Sequence, residues 1–209
     1  MQRFFDIVFS GLAILVLSPL IITLVFILKF TGEGEVFFTQ NRIGKNMKKF
    51  SLLKFATMLK NSENMGAGTV TIKNDPRVLP IGKFLRKTKL NELPQLFNIF
   101  IGDMSVIGPR PLHIKQFSFY KEDDQMVIAS VLPGLSGMGS IIFRDEEKLL
   151  QSSQDPDKTY KQKISPEKAK LEKFYIKNIS IYLYFKLIIL TLIALMFPKI
   201  DLKIFFKDL

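Results

Sequence analysis

The sequence contains no cysteine, no tryptophan and a single histidine, His113. Without cysteine the chain has no disulfide bond and no thiolate-ligated zinc site, and one histidine excludes a metal site built from several histidines. The lack of cysteine also agrees with a reducing compartment. Most phenylalanines lie in apolar runs, so the chain does not show the exposed aromatic pattern that stacks on nucleic-acid bases. These absences exclude thiol chemistry and argue against a nucleic-acid partner.

What the sequence does have is apolar length and positive charge. Of its 209 residues 47% are hydrophobic, and the formal net charge is +11. The length suits one domain with membrane-attached segments, and the charge predicts an anionic partner such as lipid headgroups or nucleotide phosphates. Residues 29–115 hold 15 basic and 6 acidic residues and so carry most of that charge. Because this region follows an apolar segment, we expect its lysines to face anionic membrane lipids, with a subset reaching a substrate.

The N-terminal segment, residues 4–28, is almost continuously apolar. As a helix it would be about 37 Å long, enough to cross a bilayer. The alternative is a re-entrant helix, because Ser18 and Pro19 lie at its middle and proline removes a helix hydrogen bond and bends the axis. Arg3 and Lys29 flank both ends, so the distribution of positive charge does not choose a direction. The residues alone leave both topologies open.

The rest of the chain predicts an α-dominated α+β fold. Aromatic and aliphatic residues at 36–40 and 50–55 flank a polar turn and predict a small β-hairpin. Residues 61–75 predict a polar loop that acts as a lid. Further helices are predicted around 78–87, within 113–131, from 144 and from Ser165-Pro166, with a polar surface loop at 152–165.

The C-terminal region predicts a helix lying in the plane of the membrane interface. Residues 187–197 are apolar but too few to span a bilayer. After them, lysines recur every four residues beside apolar side chains, at Lys199, Lys203 and Lys207. That pattern is typical of an interfacial helix. A helix packed within the globular domain is the alternative.

The stretch that organises the chain is residues 83–111. Four basic residues precede Asn91-Glu92, and a helical repeat of Leu93, Leu96, Phe97 and Phe100 follows. This repeat predicts one buried helix face, with Asn91 as the N-cap and Gly102 as the end. Free N–H groups at such a helix start attract anions. An ordinary amphipathic helix without chemistry has the same pattern.

Arg110 lies between two prolines in the segment Gly108-Pro109-Arg110-Pro111. A guanidinium group on a stiff backbone suits bidentate binding of phosphate, because its planar fork matches two phosphate oxygens. A tight turn with a solvated arginine is the alternative. With the basic cluster before it, the segment favours a phosphate site.

Several pieces of sequence occur in a characteristic order: Ser18-Pro19 within an apolar segment, FTQNRIG, KFATM, NDPRVLPIGKFLRKTKLNELPQLFNIFIGDMSVIGPRP, LPGLSG and YIKNISIYLYFKL. In this order they resemble the bacterial sugar transferases, the monotopic phosphoglycosyl transferases. The resemblance covers nearly the whole chain. It implies a re-entrant membrane helix at 1–30, a catalytic domain at 31–178 and interfacial helices at 179–209, on the cytoplasmic face of the bacterial inner membrane.

The resemblance also implies an activity. Such enzymes move a sugar-1-phosphate from a UDP-sugar to polyprenyl (undecaprenyl) phosphate, which starts the assembly of glycoconjugates such as exopolysaccharide and lipopolysaccharide. By resemblance Glu92 binds Mg²⁺, and positions 91 and 92 form the catalytic pair. The expected cationic contacts to phosphate are Lys54, Arg77, Arg86, Arg110 and Arg144. A homodimer is compatible with this assignment.

Three positions depart from the family pattern. Ala56 stands where a basic residue is usual, and Met138-Gly139 stand where an aromatic residue or leucine and then alanine are usual. The third departure is Asn91, in place of the aspartate that acts as the nucleophile in the family. An amide is a poor nucleophile and cannot form an acyl phosphate.

Four explanations of Asn91 compete. The acceptor phosphate attacks the substrate directly, another carboxylate such as Asp103 replaces the nucleophile, the chain binds substrate without turnover, or Asn91 is an engineered substitution. We favour an active enzyme with a modified site, because the rest of the apparatus is retained. A membrane-bound sensor or scaffold that recognises nucleotide sugars is the rival function.

Overall fold

The computed structural model describes residues 1–65, 75–151, 153, 155–197 and 200–206. Within these ranges the fold is rich in helix and contains two small sheets, as the predicted α-dominated α+β class requires. The helices are α1 Gln2–Lys29, α2 Pro80–Lys87, α3 Gln95–Ile101, α4 Ile114–Phe117, α5 Glu122–Ile128, α6 Met138–Ile142, α7 Glu146–Gln151, α8 Pro156–Thr159, α9 Ser165–Lys177 and α10 Ile181–Met196. The strands are β1 Phe37–Ile43, β2 Lys49–Phe55, β3 Ser105–Ile107 and β4 Gly134–Ser136.

The predicted hairpin is confirmed and is longer than expected. Strands β1 and β2 pair antiparallel, with Phe37 opposite Phe55 and Ile43 opposite Lys49. The strands are joined through a turn at Lys45–Met47, in which Asn46 and Met47 adopt positive φ. The second sheet is a parallel pair, β3 with β4, that the sequence did not predict.

Helix α1 packs one face against the domain along its whole length. Its buried positions are spaced by three or four residues near each end, at Asp6, Ser10, Ile21, Leu24 and Leu28. Between them Ala13, Ile14 and Leu17 contact the cluster around α3 and β2. The opposite face is exposed and apolar, with Phe4, Val8, Leu12, Leu15 and Phe26. By length and composition this is the one helix in the described ranges that is long and apolar enough to cross a membrane.

Polar contacts fix the N-terminal half of α1. The buried Asp6 carboxylate accepts hydrogen bonds at 2.9 Å from Ser105 Oγ, Val106 N and Tyr184 Oη. Hydrogen bonds to a charged group contribute about 1.5–3 kcal/mol each. Arg3 donates to the free carbonyls at the end of α3. These contacts join α1 to three other elements of the domain.

The helix continues through Ser18 and Pro19, and the break predicted there is not seen. Proline leaves the carbonyl four residues earlier without its usual N–H donor. Ser18 Oγ donates to that carbonyl, Leu15 O, at 2.7 Å. The Ser18 side chain therefore replaces the lost hydrogen bond.

The main core lies between β3, α6, α9 and α10. Its largest fully buried members include Tyr184, Leu187, Ile107 and Met138. Residues 179–209 were predicted to form interfacial helices. Helix α10 contributes its buried face to this core and exposes an apolar face with Ile189, Leu192 and Leu195, so the interfacial assignment stays a prediction. The predicted lysine pattern cannot be compared, because Lys199, Lys207 and the Lys203 side chain lie outside the described residues. Most of the predicted lid, residues 66–74, also lies outside them.

Two local predictions are wrong. Asn91 does not cap α3, which begins at Gln95 with Pro94 at the N-cap position, although Gly102 does end it with a φ of 105°. Residues 152–165 were predicted as a surface loop, but α8 and a π-helical turn, Tyr160–Ile164, run directly into α9. Tyr160 and Ile164 supply buried apolar surface there, which offsets the polar composition that suggested a loop.

Candidate active site

A cavity of about 400 Å³ lies beside the hairpin. Its walls come from both strands, from residues 56–64 and from the chain just before α3. On β1, Phe38, Gln40 and Arg42 line the cavity at every second position, as side chains on one face of a strand do, and Phe37 at the start of the strand also reaches it. Lys54 lies opposite Phe38 on β2 and lines the same cavity. The hairpin thus presents two cations to one space.

Two of the predicted site residues complete the opposite wall. Arg86, from the last turn of α2, and Asn91 both line the cavity. Asn91 lies in a 3₁₀ turn, Leu90–Glu92, that follows Lys89 in the left-handed region at φ 61°. This sharp reversal turns Asn91 and Glu92 away from the direction of α2 and toward the hairpin.

Helix α3 holds this turn against β2. Asn98 is buried, and its side chain accepts from Leu53 N and donates to Ser51 O, both at 2.9 Å. These bonds fix α3 directly beside Lys54, the next residue of the strand. Pro94 and Gln95 are buried at the start of the helix, so the turn before them has little room to move.

Arg110 approaches Lys54 and Glu92 from another direction, although neither Arg110 nor Glu92 is among the residues that line the cavity. Its segment follows β3, and Gly108 N donates to Ser136 O while Gly134 N donates to Pro109 O, at 2.9 and 2.8 Å. A Cβ atom on Gly108 would lie 2.5 Å from Leu132 O, so only glycine allows this close approach of the backbones. The predicted stiff Gly-Pro-Arg segment is therefore confirmed.

Glu92 and Arg110 form an ion pair, with Glu92 Oε1 2.8 Å from Arg110 Nη2. Burial alone would raise the pKa of the Glu92 carboxyl, but the charges of Arg110, Lys54 and Lys89 outweigh it and lower the pKa to about 2. Glu92 in turn raises the pKa of Arg110. The carboxylate is ionised at every physiological pH and orients the guanidinium.

Lys54 is the most perturbed cation of the site. Its pKa is lowered to about 8, mainly by burial; Glu92 acts in the opposite direction, and the charges of Arg110, Arg42 and Arg86 add to the lowering. A phosphate group entering the cavity would add negative charge beside Lys54 and restore the full ammonium form. The site thus gathers Arg42, Lys54, Arg86 and Arg110 near the Glu92 carboxylate, with Lys89 also acting on Glu92 and an exposed Lys60–Glu35 ion pair elsewhere in the cavity wall.

The predicted residues Arg77 and Arg144 are not brought into this cluster. Arg77 is buried and makes a two-pronged contact with Asp75, at 2.9 and 2.6 Å, and donates to Ser62 O and Met65 O. It therefore holds the segment that forms one cavity wall. Arg144 donates to Ile200 O, beside the last described residues. Their predicted roles in phosphate binding stay predictions.

Arg42 was not among the predicted phosphate contacts, although the structure places it in the cluster. The signal was present in the sequence, because Phe38, Gln40 and Arg42 share one strand face with period two. Asp103, considered as a replacement nucleophile, lies after the far end of α3. Its carboxylate accepts from Asn98 Nδ2 at 3.3 Å. Asp103 is neither in the cavity wall nor among the charges that shift the pKa of Lys54 or Glu92.

One polar atom in the cavity wall lacks a partner. Asn91 Oδ1 is buried and accepts no hydrogen bond within the described part of the chain. An unsatisfied buried acceptor costs about 1–3 kcal/mol. Such a group is common where a ligand completes the hydrogen bonding.

A second group of buried charges lies behind Arg110. Glu146 acts on Arg110 electrostatically and accepts from the buried Lys168 at 2.5 Å. One turn further along α9, Glu172 is also buried, and its carboxyl occupies the space beside Gly139. Burial raises the pKa of Glu172 to about 7, against the charge of Lys168 and a hydrogen bond from Gly139 N. Gly139, which replaces the usual alanine of the family pattern, thus leaves room for the Glu172 carboxyl group.

Comparison with known proteins places this geometry in a family. Residues 1–198 match the family described as "Bacterial sugar transferase". The chain is 36% identical over 159 residues to the exopolysaccharide production protein ExoY of Rhizobium meliloti, covering 69% of this chain and 70% of that protein. It is 34% identical over 195 residues to the UDP-glucose:undecaprenyl-phosphate glucose-1-phosphate transferase of Klebsiella pneumoniae, covering 91% of this chain and 39% of that protein.

A third relative is the uncharacterized sugar transferase of Haemophilus influenzae, 39% identical over 160 residues, which cover 69% of this chain and 33% of that protein. The chain therefore spans only a third to two fifths of the length of two of these relatives. The match over residues 1–198 includes α1, the cavity and the Arg110 segment. This protein belongs to the bacterial sugar transferase family.

Proposed function

We propose that this protein transfers a sugar-1-phosphate from a UDP-sugar to undecaprenyl phosphate, at the cytoplasmic face of the bacterial cytoplasmic membrane. The observation that carries the proposal is the cluster of Arg42, Lys54, Arg86 and Arg110 around the single carboxylate of Glu92. Phosphoryl transfer requires mainly positioning and stabilisation of negative charge, and such a cluster supplies both. The name of the Klebsiella relative supports the two substrate classes.

The cationic residues of the site have different roles, which follow from their positions. Lys54, Arg86 and Arg42 face the cavity and bind the diphosphate of the donor. Arg110 is held by Glu92 on one side and by Leu135 O at 3.4 Å on the other, so its remaining donors are aimed before substrate arrives. Preorganised donors stabilise charge that develops in the transition state without a reorganisation cost at that moment.

Asn91 sets the order of bond changes. Because an amide does not form the acyl phosphate intermediate, we propose a single displacement. An oxygen of the acceptor phosphate attacks the phosphorus that bears the sugar, and the bond from that phosphorus to UMP breaks. No proton has to be removed from an ionised acceptor phosphate, so the step needs no general base. Both anionic substrates must be bound together, which is consistent with the excess of cations.

The site fits the Mg²⁺ that the family resemblance implies. Glu92 uses Oε1 to hold Arg110, and Oε2 makes no hydrogen bond or ion pair with the described residues. In the preceding residue, Asn91 Oδ1 is also without a hydrogen-bond partner among the described residues. Mg²⁺ prefers oxygen ligands and is often held by one or two protein groups together with substrate phosphates. Glu92 would hold the ion, and the ion would offset part of the charge of the diphosphate.

For the membrane, we propose that both ends of α1 lie on the cytoplasmic side. The support is its buried stripe from Asp6 to Leu28, which contacts the same domain at both ends. If α1 crossed the bilayer, its two ends would lie on opposite sides of the membrane, and both could not contact the same domain on one side. The exposed apolar face would then lie in lipid, and the nearby lysines would meet anionic headgroups. The homodimer stays a prediction.

The test is a reconstituted assay. Full-length protein in vesicles is supplied with Mg²⁺, undecaprenyl phosphate and a panel of UDP-sugars, and UMP and the lipid-linked sugar are measured. We expect the two products in equal amounts with at least one UDP-sugar. Binding of UDP-sugars without UMP release, with active protein shown by the binding itself, would favour the sensor or scaffold function, which the unusual Asn91 alone supports.

A further inference from the structure

Helix α9 carries charged residues on the face that it buries. Its buried positions recur every three or four residues and form one stripe, at Ser165, Lys168, Ala169, Glu172 and Tyr175. Lysine is almost never fully buried unless it is paired, and the Lys168 side chain is only 3% exposed. An apolar pair of similar size often stabilises a fold at least as well as a buried ion pair. Stability alone therefore does not explain why a lysine lies here.

The partner of Lys168 is Glu146, the first residue of α7. The Lys168 Nζ atom lies 2.5 Å from Glu146 Oε2. The ring of Tyr160 lies 5.7 Å from the same ammonium group, and the buried Glu172 follows one turn further along α9. The ammonium group thus binds one carboxylate directly and lies near a second carboxyl group that is not its hydrogen-bond partner.

Contacts lead from this ion pair to Arg110. Arg110 Nη1 donates to Leu135 O at 3.4 Å, and Leu135 lies in β4, just before α6. A Cβ atom on Gly139, in α6, would lie 3.6 Å from Lys168 Cγ. The charge of Glu146 reaches Arg110 and raises the pKa of its guanidinium group. Glu146 is thus the second carboxylate that acts on this arginine.

The two carboxylates have different access to the guanidinium group. Glu92 Oε1 lies 2.8 Å from Arg110 Nη2 and leaves other N–H donors of Arg110 for phosphate. If Glu146 bound Arg110 as well, two negative charges would more than offset the charge of the arginine, and fewer of its donors would be free. Lys168 opposes this contact, because its ammonium group offsets the charge of Glu146 and occupies one of the two carboxylate oxygens.

We propose that Lys168 is a positioning residue that keeps Glu146 from binding Arg110, so that Arg110 stays available to the diphosphate of the donor. The inference rests on the proposed function for the identity of that anion. Lys168 is not among the residues that line the cavity, and it acts on the anion through Glu146. A charge on the buried face of α9 thereby tunes a phosphate contact that lies on another segment of the chain.

The experiment measures the affinity for UDP by calorimetry. Full-length protein is held in nanodiscs, and EDTA is present so that only the protein binds the diphosphate. Lys168→Gln removes the positive charge and keeps a hydrogen-bond donor for Glu146. We expect this variant to bind UDP about tenfold more weakly than the wild type, because a carboxylate without its counter-charge attracts Arg110 and repels the diphosphate. The matched control is Lys170→Gln, which removes an exposed cation of the same helix and should leave UDP affinity unchanged.

A second substitution separates positioning from folding. Glu146→Gln removes the competing carboxylate, so this variant should bind UDP at least as tightly as the wild type. Combined with Lys168→Gln, it should restore UDP affinity to within about twofold of the wild-type value, since the two effects are coupled. Denaturant unfolding is measured for every variant. An ion pair that serves only the fold would lower the free energy of unfolding in each variant, and adding Glu146→Gln would not restore UDP binding.

The proposal is overturned if folded Lys168→Gln binds UDP like the wild type, or if the double variant binds UDP as weakly as Lys168→Gln. If Lys168→Gln does not fold, the double variant decides. It should fold and bind UDP like the wild type, because the carboxylate that Lys168 has to neutralise is gone. A double variant that does not fold, or that binds UDP weakly, would show that Lys168 serves the fold itself.

Failure of the proposed function looks different. In that case the UDP affinities of the variants follow the expected pattern, and the reconstituted wild type releases no UMP from any UDP-sugar.

Discussion

Arg110 Nη2 lies 2.8 Å from Glu92 Oε1, so the expected phosphate-binding arginine is held by the expected metal-binding carboxylate. The two residues come from segments that are separated by α3 and β3 and that arrive at the site from different directions. Their pairing explains how an arginine on the partly exposed rim keeps one orientation. A substitution at either residue therefore also removes the ion-pair partner of the other.

Arg110→Ala is expected to weaken UDP-sugar binding. A charge-assisted contact to phosphate contributes about 1.5–3 kcal/mol, which corresponds to a loss of about 10- to 100-fold in affinity. Arg110→Lys should recover little, because one ammonium group does not reproduce the planar fork that binds both Glu92 and phosphate. Calorimetric titration with UDP checks both variants.

The matched control is Lys115→Ala, which removes an exposed cation paired with Asp157 on the surface. It should leave UDP affinity unchanged. If Arg110→Ala also binds UDP like the wild type, Arg110 only braces the turn, and its assignment to phosphate is wrong.

The absence of cysteine makes the membrane topology directly testable. Single cysteines at Gln2 and Thr31 mark the two ends of α1, and no native thiol competes. If both ends are cytoplasmic, an impermeant thiol reagent should label neither position in intact cells and both after permeabilisation. Labelling of position 2 alone in intact cells would establish a helix that spans the membrane.

How far the sequence predicted the fold is clearest at α3. The helix and its glycine end were predictable from spacing and from Gly102, but the buried face was predicted only in part: Leu93 and Leu96 pack in the core, as expected. Phe97 and Phe100 are 38% and 47% exposed, whereas Gln95 and Asn98 are buried. Hydrophobic periodicity assumes that apolar residues avoid the surface, and this rule fails on a face that packs beside the apolar face of α1. Asn98 is buried because it hydrogen-bonds the backbone of β2, a contact across 45 residues that no local pattern reports.

The site was predictable where residues lie in one motif and less so where they do not. Lys54, Arg86, Asn91, Glu92 and Arg110 were named from sequence, and the structure brings them together. Arg77 was predicted as well, but its guanidinium group forms a buried ion pair with Asp75. A sequence shows that an arginine is present in a motif, and it does not show whether a buried carboxylate two residues away already binds it.

Gly139 and Glu172 predict a coupled pair of substitutions. A Cβ atom at Gly139 would lie 2.3 Å from Glu172 Oε1, so Gly139→Ala must displace a buried carboxyl group. We expect a loss of about 1–3 kcal/mol in the free energy of unfolding, as for other overpacked sites. The double variant with Glu172→Ala should lose less than the sum of the two single variants, because the clash is gone. Denaturant unfolding measures all three. If the loss in free energy of unfolding in the double variant equals the sum of the two single losses, Glu172 moves away from the new methyl group at no cost.

Glu172 also predicts a pH dependence of stability. Burial raises its pKa to about 7 in the folded protein, from about 4.5 when unfolded. Below pH 4.5 both states are protonated. Between 4.5 and 7 the folded state holds a proton that the unfolded state has lost, so stability falls as pH rises, and the full cost of about 3 kcal/mol is present above pH 7.

Glu172→Gln removes this titration. The variant should therefore gain stability relative to the wild type between pH 5 and pH 8, and thermal unfolding at both pH values checks the difference. An equal pH dependence in the two proteins would mean that Glu172 is already ionised in the fold at pH 5.

Asn91→Asp decides between the two chemical routes. With asparagine, both substrates must be present before the donor bond breaks, so the wild type should release no UMP until acceptor is added and should show sequential kinetics. With aspartate in the same place, in the cavity wall that Lys54 and Arg86 also line, the carboxylate can attack the phosphorus itself. The variant should then release about one equivalent of UMP without acceptor and carry a phosphosugar adduct visible by intact mass.

UMP release without acceptor by the wild type would instead reveal a nucleophile other than residue 91. If Asn91→Asp forms no adduct while the wild type turns over, the turn before α3 does not aim residue 91 at the reacting phosphorus, and its place in the mechanism has to be revised.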